Sequence, residues 1–329
     1  MAGSGVAHLR SDENPILSVE NLVVEFPSGR NHTVHAVSDI SFDLLPGETL
    51  GIVGESGCGK STAGRAVLQL PAPTSGSVAI DGIELTTLSP SALRKTRAKL
   101  QMIMQDPISS LNPRRKVKHL VTEGPRMWGQ RNREHLESKG RKLLQAVGLD
   151  PDMVWDRLPS ELSGGQCQRV CIARAMMLEP KVLICDEPVS SLDVSVQAQI
   201  LNLLEQTKTE FELTMIFIAH NMAVVKNISD RMMVMYLGKV CEIAPSRGME
   251  RQARHPYSRL LLTSIPDPDI HCGQAGKTPE IEGDLPSPLN PPSGCRFRTR
   301  CPLATERCVA EEPLLRKVGE GHYVACHNV

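Results

Sequence analysis

The 329-residue sequence lacks an excess of charge of either sign, because 37 lysine and arginine residues balance 37 aspartate and glutamate residues. A protein that holds DNA, RNA or anionic lipid by a basic face carries a positive bias, so this balance argues against that class. The sequence also lacks an uninterrupted run of the roughly 18–20 apolar residues that a membrane-spanning helix needs. Residues 1–15 lack the apolar core of a secretory signal, so we expect a cytosolic protein.

Internal repeats, low-complexity tracts and paired CxxC motifs are also absent from the sequence. The ten cysteines are expected to stay reduced in a cytosolic protein, so disulfides are not the default explanation for them. Six are spread along the chain, and we expect most of them to act as small apolar side chains: Cys58, Cys167, Cys171, Cys185, Cys241 and Cys272. Four crowd into residues 295–329: Cys295, Cys301, Cys308 and Cys326.

Strands and helices are predicted to alternate along the first two thirds of the chain. Apolar runs bounded by turn residues predict strands at 17–26, 36–44, 49–53, 77–80, 100–104, 182–185 and 214–219. Helical periodicity predicts helices at 60–70, 133–147, 165–177 and 194–208. This alternation predicts an α/β fold with a largely parallel sheet, and the mostly helical stretch 108–177 is predicted to be an inserted subdomain. Seven prolines in 264–294 predict a linker or an extended arm.

A phosphate-binding loop is predicted at residues 54–61. The run Gly54-Glu55-Ser56-Gly57-Cys58-Gly59-Lys60-Ser61 fits the pattern GxxxxGK[ST] and lies between a predicted strand and a predicted helix. Such glycines let backbone N–H groups turn toward phosphate oxygens, the lysine reaches the β- and γ-phosphates, and the serine ligates Mg²⁺. Thr62 follows in the same expected ATP site. Cys58 is a candidate target for thiol-modifying inhibitors.

An acidic pair that complements this loop follows the predicted strand 182–185. Asp186 is expected beside Mg²⁺, and Glu187 is expected to orient the attacking water or to accept its proton. A buried strand with acidic residues at its exposed end is common when it occurs alone. Together with the phosphate loop, the pair favours a nucleotide-hydrolysing site.

Further motifs occur in an order that resembles ATP-binding-cassette (ABC) ATPases. Leu162-Ser163-Gly164-Gly165-Gln166 resembles the family signature, and Ser191-Leu192-Asp193 resembles its D-loop. Three single residues resemble the Q-loop glutamine, the switch histidine and the aromatic residue that stacks on adenine: Gln105, His220 and Phe26. The resemblance implies that Gln105 and His220 act with Glu187 in catalysis, and that Gln105 joins Ser61 and Asp186 around Mg²⁺.

This resemblance covers 16–265 and implies a P-loop cassette with a mixed or parallel sheet core and a helical subdomain at about 108–177. It also implies a head-to-tail dimer that sandwiches two ATP molecules. In each half-site the loop of one subunit faces the signature residues of the other: Ser163, Gly164, Gly165 and Gln166. Asp193 belongs to the same expected interface. A helix start rich in glycine supplies N–H donors to the γ-phosphate, so ATP binding closes such a dimer.

Two segments near the C-terminus, 254–261 and 283–295, resemble oligopeptide and dipeptide importer ATPases. Within the latter, residues 285–295 resemble the second of the two paired ATPase subunits of those importers. This resemblance implies a peripheral protein on the cytoplasmic face of the inner membrane. The implied partners are a second ATPase subunit, two permease subunits and an extracytoplasmic substrate-binding protein, with no nucleic acid. Peptides, nickel complexes, opines and glutathione remain open as substrates. The alternative function is a soluble ABC-type ATPase that acts on ribosomes or nucleic acid.

The extension 266–329 is expected to be an irregular arm held by its four cysteines. Their intervals of five, six and seventeen residues suit a [4Fe–4S] cluster better than Zn²⁺, because structural zinc sites use CxxC-like pairs. Cysteine-rich ends of peptide-importer ATPases resemble this arrangement and are associated with iron–sulfur binding. Four unligated thiols are the alternative, and a redox-sensing arm is another. His322 and His327 are potential substitute ligands, but we expect them to be surface residues.

Overall fold

The computed structural model describes residues 4–29, 32–263 and 285–329. Its strands are, in chain order, β1 (Leu17–Ser28), β2 (His32–Leu44), β3 (Thr49–Val53), β4 (Ser75–Ile80), β5 (Ile83–Glu84), β6 (Leu100–Ile103), β7 (Val182–Asp186), β8 (Thr214–Ala219), β9 (Arg231–Tyr236), β10 (Lys239–Pro245), β11 (Arg316–Gly319) and β12 (His322–Val324). Its helices are α1 (Lys60–Val67), α2 (Pro90–Thr96), α3 (Pro107–Ser110), α4 (Val117–Met127), α5 (Arg133–Ala146), α6 (Pro151–Val154), α7 (Gly164–Met176), α8 (Val194–Glu210), α9 (Met222–Ile228), α10 (Met249–Gln252), α11 (Pro256–Thr263) and α12 (Glu306–Ala310). Among the described residues, no helix combines the length and the apolar character needed to cross a bilayer.

The chain forms two compact units, and the first comprises Met1–Leu88 and Phe217–Val329. Four of its strands form an antiparallel sheet in the order β2-β1-β4-β5. Five others lie side by side in the order β11-β12-β10-β9-β3, in which β3 and β9 are parallel and the remaining pairs are antiparallel. Every residue of β3 and β9 is buried, as expected for strands covered on both faces. This buried pair supports the loop that leads into α1.

The second unit comprises Ser89–Ile216 and carries α2 to α8. In this unit β6 and β7 pair in parallel, with Ile103 opposite Cys185. Between these two strands the chain forms α3 to α7, and α7 packs against α3, α4 and α5. Because the carboxyl ends of parallel strands meet at one sheet edge, the residues that follow β6 and β7 are brought close together.

The expected α/β class is confirmed, and β3 and β8 have the predicted bounds. Helix α1 ends at Val67, three residues before its predicted end. Strands β9 and β10 were not predicted, because β9 contains three methionines, a residue with good helix propensity. Pairing with β3 overrides that propensity. The predicted boundary at 265/266 and most of the proline-rich arm lie outside the described residues, as does Cys272.

The C-terminal module, defined here as residues 285–329, differs from the irregular arm that the sequence predicts. It contains α12, β11 and β12, and β12 pairs with β10 so that Val324 lies opposite Glu242. The sequence did not predict these three short elements, and β12 forms because strand β10 offers backbone hydrogen-bonding groups that it can satisfy. His322 is also buried, and its Nε2 lies 2.6 Å from Oε1 of Glu242, so its predicted surface position is wrong.

Candidate nucleotide-binding site

The phosphate loop, residues 54–61, leads from β3 into α1 in the first unit. Gly59 has a φ of 100°, and a Cβ atom there would lie 2.2 Å from the carbonyl oxygen of Ala36. A Cβ atom at Gly54 would lie 2.2 Å from the carbonyl oxygen of Met235. Only glycine fits either position, because an added methyl group would collide with backbone. The loop can thus follow the tight path that points N–H groups toward an anion at a helix start.

Lys60 is the first residue of α1, and it is 4% exposed. Its Nζ donates to the carbonyl oxygens of Gly54, at 2.7 Å, and Glu55, at 2.9 Å. The ammonium group therefore lies within the curve of the loop, where phosphate oxygens are strong acceptors for it. Ser61 and Thr62 occupy the next positions of the helix, and Ser56 and Gly57 at the loop tip are exposed.

The thiol of Cys58 is not available to reagents in this structure. Cys58 is 1% exposed, and burial raises the pKa of its thiol. Its carbonyl oxygen accepts from the N–H of Gly238 at 2.8 Å. The expectation that Cys58 is a target for thiol-modifying inhibitors is therefore wrong, because such reagents need an accessible thiolate.

The acidic pair lies at the carboxyl end of β7 in the second unit. Asp186 is fully buried, and Glu187 follows it in the left-handed region with a φ of 46°. Gln105, two residues beyond β6, donates from its Nε2 to Oε2 of Glu187 at 3.1 Å. A left-handed non-glycine residue costs roughly 1–3 kcal/mol and clusters at functional sites. The turn thereby aims the Glu187 carboxylate at the Gln105 amide.

The signature residues form the start of α7, also in the second unit. Ser163 caps the helix: its Oγ accepts from the N–H of Gln166 at 3.3 Å, while Oε1 of Gln166 accepts from the N–H of Ser163 at 2.9 Å. This reciprocal capping box sets the direction of the first turn. The first N–H groups of a helix have no partner within it, so Gly164 and Gly165 present backbone donors that suit an anion.

The structure brings the signature and the D-loop together. A Cβ atom at Gly165 would lie 2.8 Å from Cγ1 of Val196, and one at Gly164 would lie 3.5 Å from Cδ2 of Leu192. Asp193 is the N-terminal cap position of α8, where its carbonyl oxygen accepts from the N–H of Gln197 at 2.8 Å. The small signature residues therefore permit a close approach of the α7 and α8 helix starts.

Phe26 and His220 belong to the first unit, as the phosphate loop does. Phe26 lies on β1 opposite Val34 and is 37% exposed, so its ring is accessible to a planar ligand. His220 directly follows β8 and is exposed. The next residue, Asn221, accepts at its Oδ1 from the N–H groups of Ala223 and Val224 and thereby caps α9. This cap places His220 at a defined strand-to-helix turn.

The four C-terminal cysteines lie in one small module, but their thiols do not form a metal site. They are free thiols, and the described residues contain no group of three or more His, Cys, Asp or Glu side chains that could hold a metal ion. The N–H of Cys295 donates to the carbonyl oxygen of Cys308 at 2.8 Å, and Asn328 donates its N–H to Sγ of Cys326 at 3.5 Å. Burial raises the pKa of the Cys295 thiol to about 11 and also raises that of Cys301. The geometry therefore does not fit the predicted cluster.

Two parts of the chain match known families. Residues 37–190 match the family described as ABC transporter, and residues 241–308 match the one described as oligopeptide/dipeptide transporter, C-terminal region. The putative oligopeptide transport ATP-binding protein YkfD of Bacillus subtilis is 48% identical over 318 residues, which cover 95% of each chain. The chain belongs to the ABC transporter family. The oligopeptide transport ATP-binding protein OppF of Escherichia coli is also 48% identical, over 90% of this chain and 89% of its own.

Solved structures of ABC cassettes share the fold. The bacterial ABC transporter cassette MJ0796, solved as a dimer, superposes with a TM-score of 0.64 at 28% identity and covers 70% of this chain and 99% of its own. The same cassette bound to ADP and phosphate in a dimeric post-hydrolysis state gives the same TM-score. The protein is therefore an ABC-type ATPase, and ATP is its substrate.

This ABC ATPase also has two residues at the phosphate loop that motif spacing does not reveal. Tyr257, on α11, and Arg300, in the C-terminal module, both contact Glu55 of the loop. Tyr257 lies in a segment that resembles peptide-importer ATPases, yet nothing in that segment indicates a contact with residue 55. Since the two residues follow Glu55 by 202 and 245 positions, only the tertiary structure could identify them.

Proposed function

We propose that this ABC ATPase energises the import of oligopeptides or dipeptides across a membrane. The observation that carries the proposal is the match of residues 241–308 to the C-terminal region of oligopeptide and dipeptide transporters, in a chain that also has the ATPase loop. The name of YkfD, a relative along 95% of both chains, refers to oligopeptide transport. The match of the C-terminal region therefore supports short peptides as the class of solute that is transported.

In this proposal ATP binds with its phosphates in the loop and its adenine on Phe26. The residues that hold the nucleotide in this subunit are Phe26, Gly54, Glu55, Ser56, Gly57, Cys58, Gly59, Lys60, Ser61 and Thr62. Two hydrogen bonds of Lys60 support this role. They hold its ammonium group among carbonyl oxygens of the loop, where a phosphate oxygen would accept in the same way. The glycine positions where a Cβ atom would collide with backbone support the path of the loop.

The residues proposed to hold Mg²⁺ are Ser61, Gln105 and Asp186, which offer hydroxyl, amide and carboxylate oxygens. Such oxygen donors fit a hard cation, which supplies charge neutralisation of the phosphates when it is bound.

Glu187 is proposed to orient the attacking water and to accept its proton. The hydrogen bond from Gln105 to Glu187 supports this role, since it holds the carboxylate in one orientation. His220, at the turn after β8, is proposed as the third catalytic residue.

We propose that two ATPase subunits close around ATP, each offering its signature to the other subunit's phosphate loop. The residues that would meet the second nucleotide are Ser163, Gly164, Gly165, Gln166 and Asp193. The capping box at Ser163 supports this, because it orients the helix start that would face the γ-phosphate. The dimeric structure of the MJ0796 cassette supports the stoichiometry. The second subunit is proposed to be a different ATPase, which gives a heterodimer.

The remaining proposed partners are two transmembrane permease subunits and an extracytoplasmic substrate-binding protein, with no nucleic acid. The protein would then be peripheral on the cytoplasmic face of the inner membrane. The domains proposed for this role are the cassette at 16–265, with its helical subdomain at about 108–177, and the extension at 266–329. Peptide specificity would belong to the permease and the binding protein rather than to this chain.

The [4Fe–4S] cluster on Cys295, Cys301, Cys308 and Cys326 is a separate proposal that rests on sequence spacing alone. The described thiols do not support it, because they form no group that could hold a metal ion. Iron and acid-labile sulfide assays on anaerobically purified protein test it. About four iron and four sulfide per chain would support the cluster, zinc without sulfide would replace it, and neither would leave four unligated thiols.

The test of the proposed function is peptide uptake by the assembled transporter in proteoliposomes that contain ATP. We expect Lys60→Ala to weaken ATP binding by roughly 10- to 100-fold, because a charge-assisted contact is lost, and to stop uptake. We expect Glu187→Gln to keep ATP binding, trap the closed dimer and lower turnover by roughly 10²- to 10⁴-fold. Glu205→Gln, an exposed acidic position on α8, is the matched control.

Normal turnover of the Glu187→Gln transporter would refute the role of that residue, and undiminished affinity of Lys60→Ala would refute the loop assignment. ATPase activity without uptake of any short peptide would reject peptide import. Co-purification with ribosomes rather than with integral membrane proteins would favour the alternative, a soluble ABC-type ATPase.

A further inference from the structure

Glu55 places a carboxylate in a loop whose function is to attract phosphate. Its side chain is 25% exposed, and its backbone lies between Gly54 and Ser56 at the start of the loop. A carboxylate so close to the path of a triphosphate would repel it unless a cation compensates. Lys60 does not neutralise this carboxylate, since its Nζ donates to the backbone carbonyl oxygen of Glu55.

The compensating cation comes from the C-terminal module. Nη1 of Arg300 lies 3.1 Å from Oε1 and 2.9 Å from Oε2 of Glu55. The Arg300 side chain is only 6% exposed, so water screens this pair less than it screens a surface ion pair. A charge removed from such a pair leaves the other charge without a partner.

Arg300 is itself held by aromatic rings. Its guanidinium carbon lies 5.8 Å from the ring centroid of Tyr236, and its Nη1 also donates to the Tyr236 hydroxyl at 3.3 Å. Tyr236 packs edge-on against Tyr257 and Phe297, with ring centroids 4.8 and 5.1 Å away. The whole chain has only ten aromatic residues, and three of them form this cluster. The cluster limits the rotamers of Arg300 and so fixes the place of its charge.

The same cluster also holds the backbone of Glu55. The N–H of Glu55 donates to the hydroxyl oxygen of Tyr257 at 2.8 Å. The carbonyl oxygen of Glu55 accepts from Nζ of Lys60 at 2.9 Å and from the N–H of Cys58 at 3.3 Å. One loop residue therefore links the Arg300 side chain and the aromatic cluster to the lysine that is expected to bind phosphate.

We propose that Arg300 is a positioning residue for ATP: it neutralises Glu55 and holds the first half of the phosphate loop in its binding conformation. The C-terminal module thereby sets the affinity of the cassette for nucleotide. This inference rests on the proposed ATP role of residues 54–61 and adds a residue outside the nucleotide-binding motifs, within the matched C-terminal region. Arg300 contacts Glu55 and not the expected phosphate positions of the loop backbone, so its effect on ATP is electrostatic and indirect.

The experiment measures binding of the fluorescent analogue MANT-ATP with Mg²⁺ to the full-length protein, and ATPase kinetics in the assembled transporter. We expect Arg300→Gln to weaken binding about 5- to 20-fold at 50 mM salt, and by less at 500 mM salt, because salt screens a partly exposed carboxylate. The KM for ATP should rise in parallel while kcat at saturating ATP changes less than about twofold, since uniform binding is lost. Arg300→Lys should recover most of the affinity.

The double variant Glu55→Gln/Arg300→Gln separates electrostatics from folding. We expect it to bind MANT-ATP within about threefold of the wild type, because no unpaired carboxylate remains. Glu55→Gln alone should bind about two- to fivefold more tightly than wild type, since the positive charge of Arg300 near the loop is then no longer neutralised by a carboxylate. Arg298→Gln, which removes contacts only to Ser293 in the same module, is the matched control and should leave binding and KM unchanged.

The proposal is overturned if Arg300→Gln binds as wild type does, or if the double variant binds as weakly as Arg300→Gln. If Arg300→Gln does not fold, MANT-ATP binding by Glu55→Gln tests the proposal. Weaker binding by Glu55→Gln than by the wild type would contradict electrostatic compensation. Lys60→Ala distinguishes this failure from a failure of the site itself. Undiminished binding by Lys60→Ala rejects the ATP role of the loop, whereas weak binding by Lys60→Ala with normal binding by Arg300→Gln rejects only the present inference.

Discussion

In the phosphate loop, the residues that determine the backbone lie within a few positions of one another, whereas in the C-terminal module the decisive partners are distant in sequence. Nζ of Lys60 contacts carbonyl oxygens five and six residues earlier. In the module, His322 pairs with Glu242, 80 residues earlier, and Arg300 pairs with Glu55, 245 residues earlier. A motif therefore specifies the loop, but the module depends on what the rest of the fold presents to it.

The two regions also differ in what residue spacing can reveal. Motif spacing in the loop corresponds to geometry at Gly54 and Gly59, because a Cβ atom at either position would collide with backbone. Cysteine spacing in the module predicted a cluster, yet the described residues contain no group that could hold a metal ion, and two of the four thiols are buried: Cys308 is 4% and Cys326 is 8% exposed. Cysteine spacing alone therefore does not establish a metal site, because the arrangement of the ligands depends on the fold of the backbone between them.

Gly59→Ala tests whether local backbone geometry specifies the phosphate loop, and it is expected to have the largest effect. The new Cβ atom would lie 2.2 Å from the Ala36 carbonyl oxygen at a φ of 100°, so ATP affinity should fall by about 1000-fold from strain and displacement of the loop. MANT-ATP titration measures it. Gly47→Ala is the control, because Gly47 has a φ of 76° but no atoms near its Cβ position. Normal affinity of Gly59→Ala would show that the loop tolerates other paths.

The next effect concerns His255, which supports the aromatic cluster from the core. Its Nδ1 accepts from the N–H of Tyr257 at 3.1 Å, and burial lowers its pKa from 6.5 to about 4. The neutral form is favoured in the folded protein, so its stabilisation is present above pH 6.5 and is lost as the pH falls toward 4. The free energy of unfolding should drop by up to about 3 kcal/mol across this range.

Urea unfolding at several pH values measures the effect of His255. His8, whose pKa burial also lowers, contributes in the same direction, so the His255→Gln variant should reduce the slope without abolishing it. An unchanged slope in that variant would contradict the role of His255.

The smallest effect is expected for thiol reactivity in the module. Burial raises the pKa of Cys295 from 9 to about 11, so the thiolate fraction at pH 8 and the rate of alkylation by iodoacetamide should be about 100-fold lower in the native protein than in urea. Mass spectrometry of the labelled peptide measures the rate. Slow labelling that persists after iron chelation indicates burial, whereas labelling that becomes fast after chelation indicates that a metal had protected the thiol.

Much of the cassette could be predicted from sequence because its strands are apolar runs between clear turn signals, as at β3 and β8. Gln105 and Glu187 were both predicted as site residues, but the hydrogen bond between them was not. This contact depends on the parallel pairing of β6 with β7, which local sequence does not specify. Strand β9 was missed because methionine-rich runs carry no strand signal, and neighbouring strands decide their conformation. Strand β12 was missed for the same reason, since it becomes a strand only beside β10.

By itself, the sequence predicted which residues can meet a nucleotide, because turns, helix starts and strand ends follow from local backbone preferences and steric limits. Gly59, Lys60 and the Ser163 cap are of this kind. Tertiary structure alone decided that Arg300 reaches Glu55 and that strand β12 of the C-terminal module pairs with β10. Such contacts arise from the free energy of burying apolar surface and pairing polar groups across the whole fold, which no local pattern encodes.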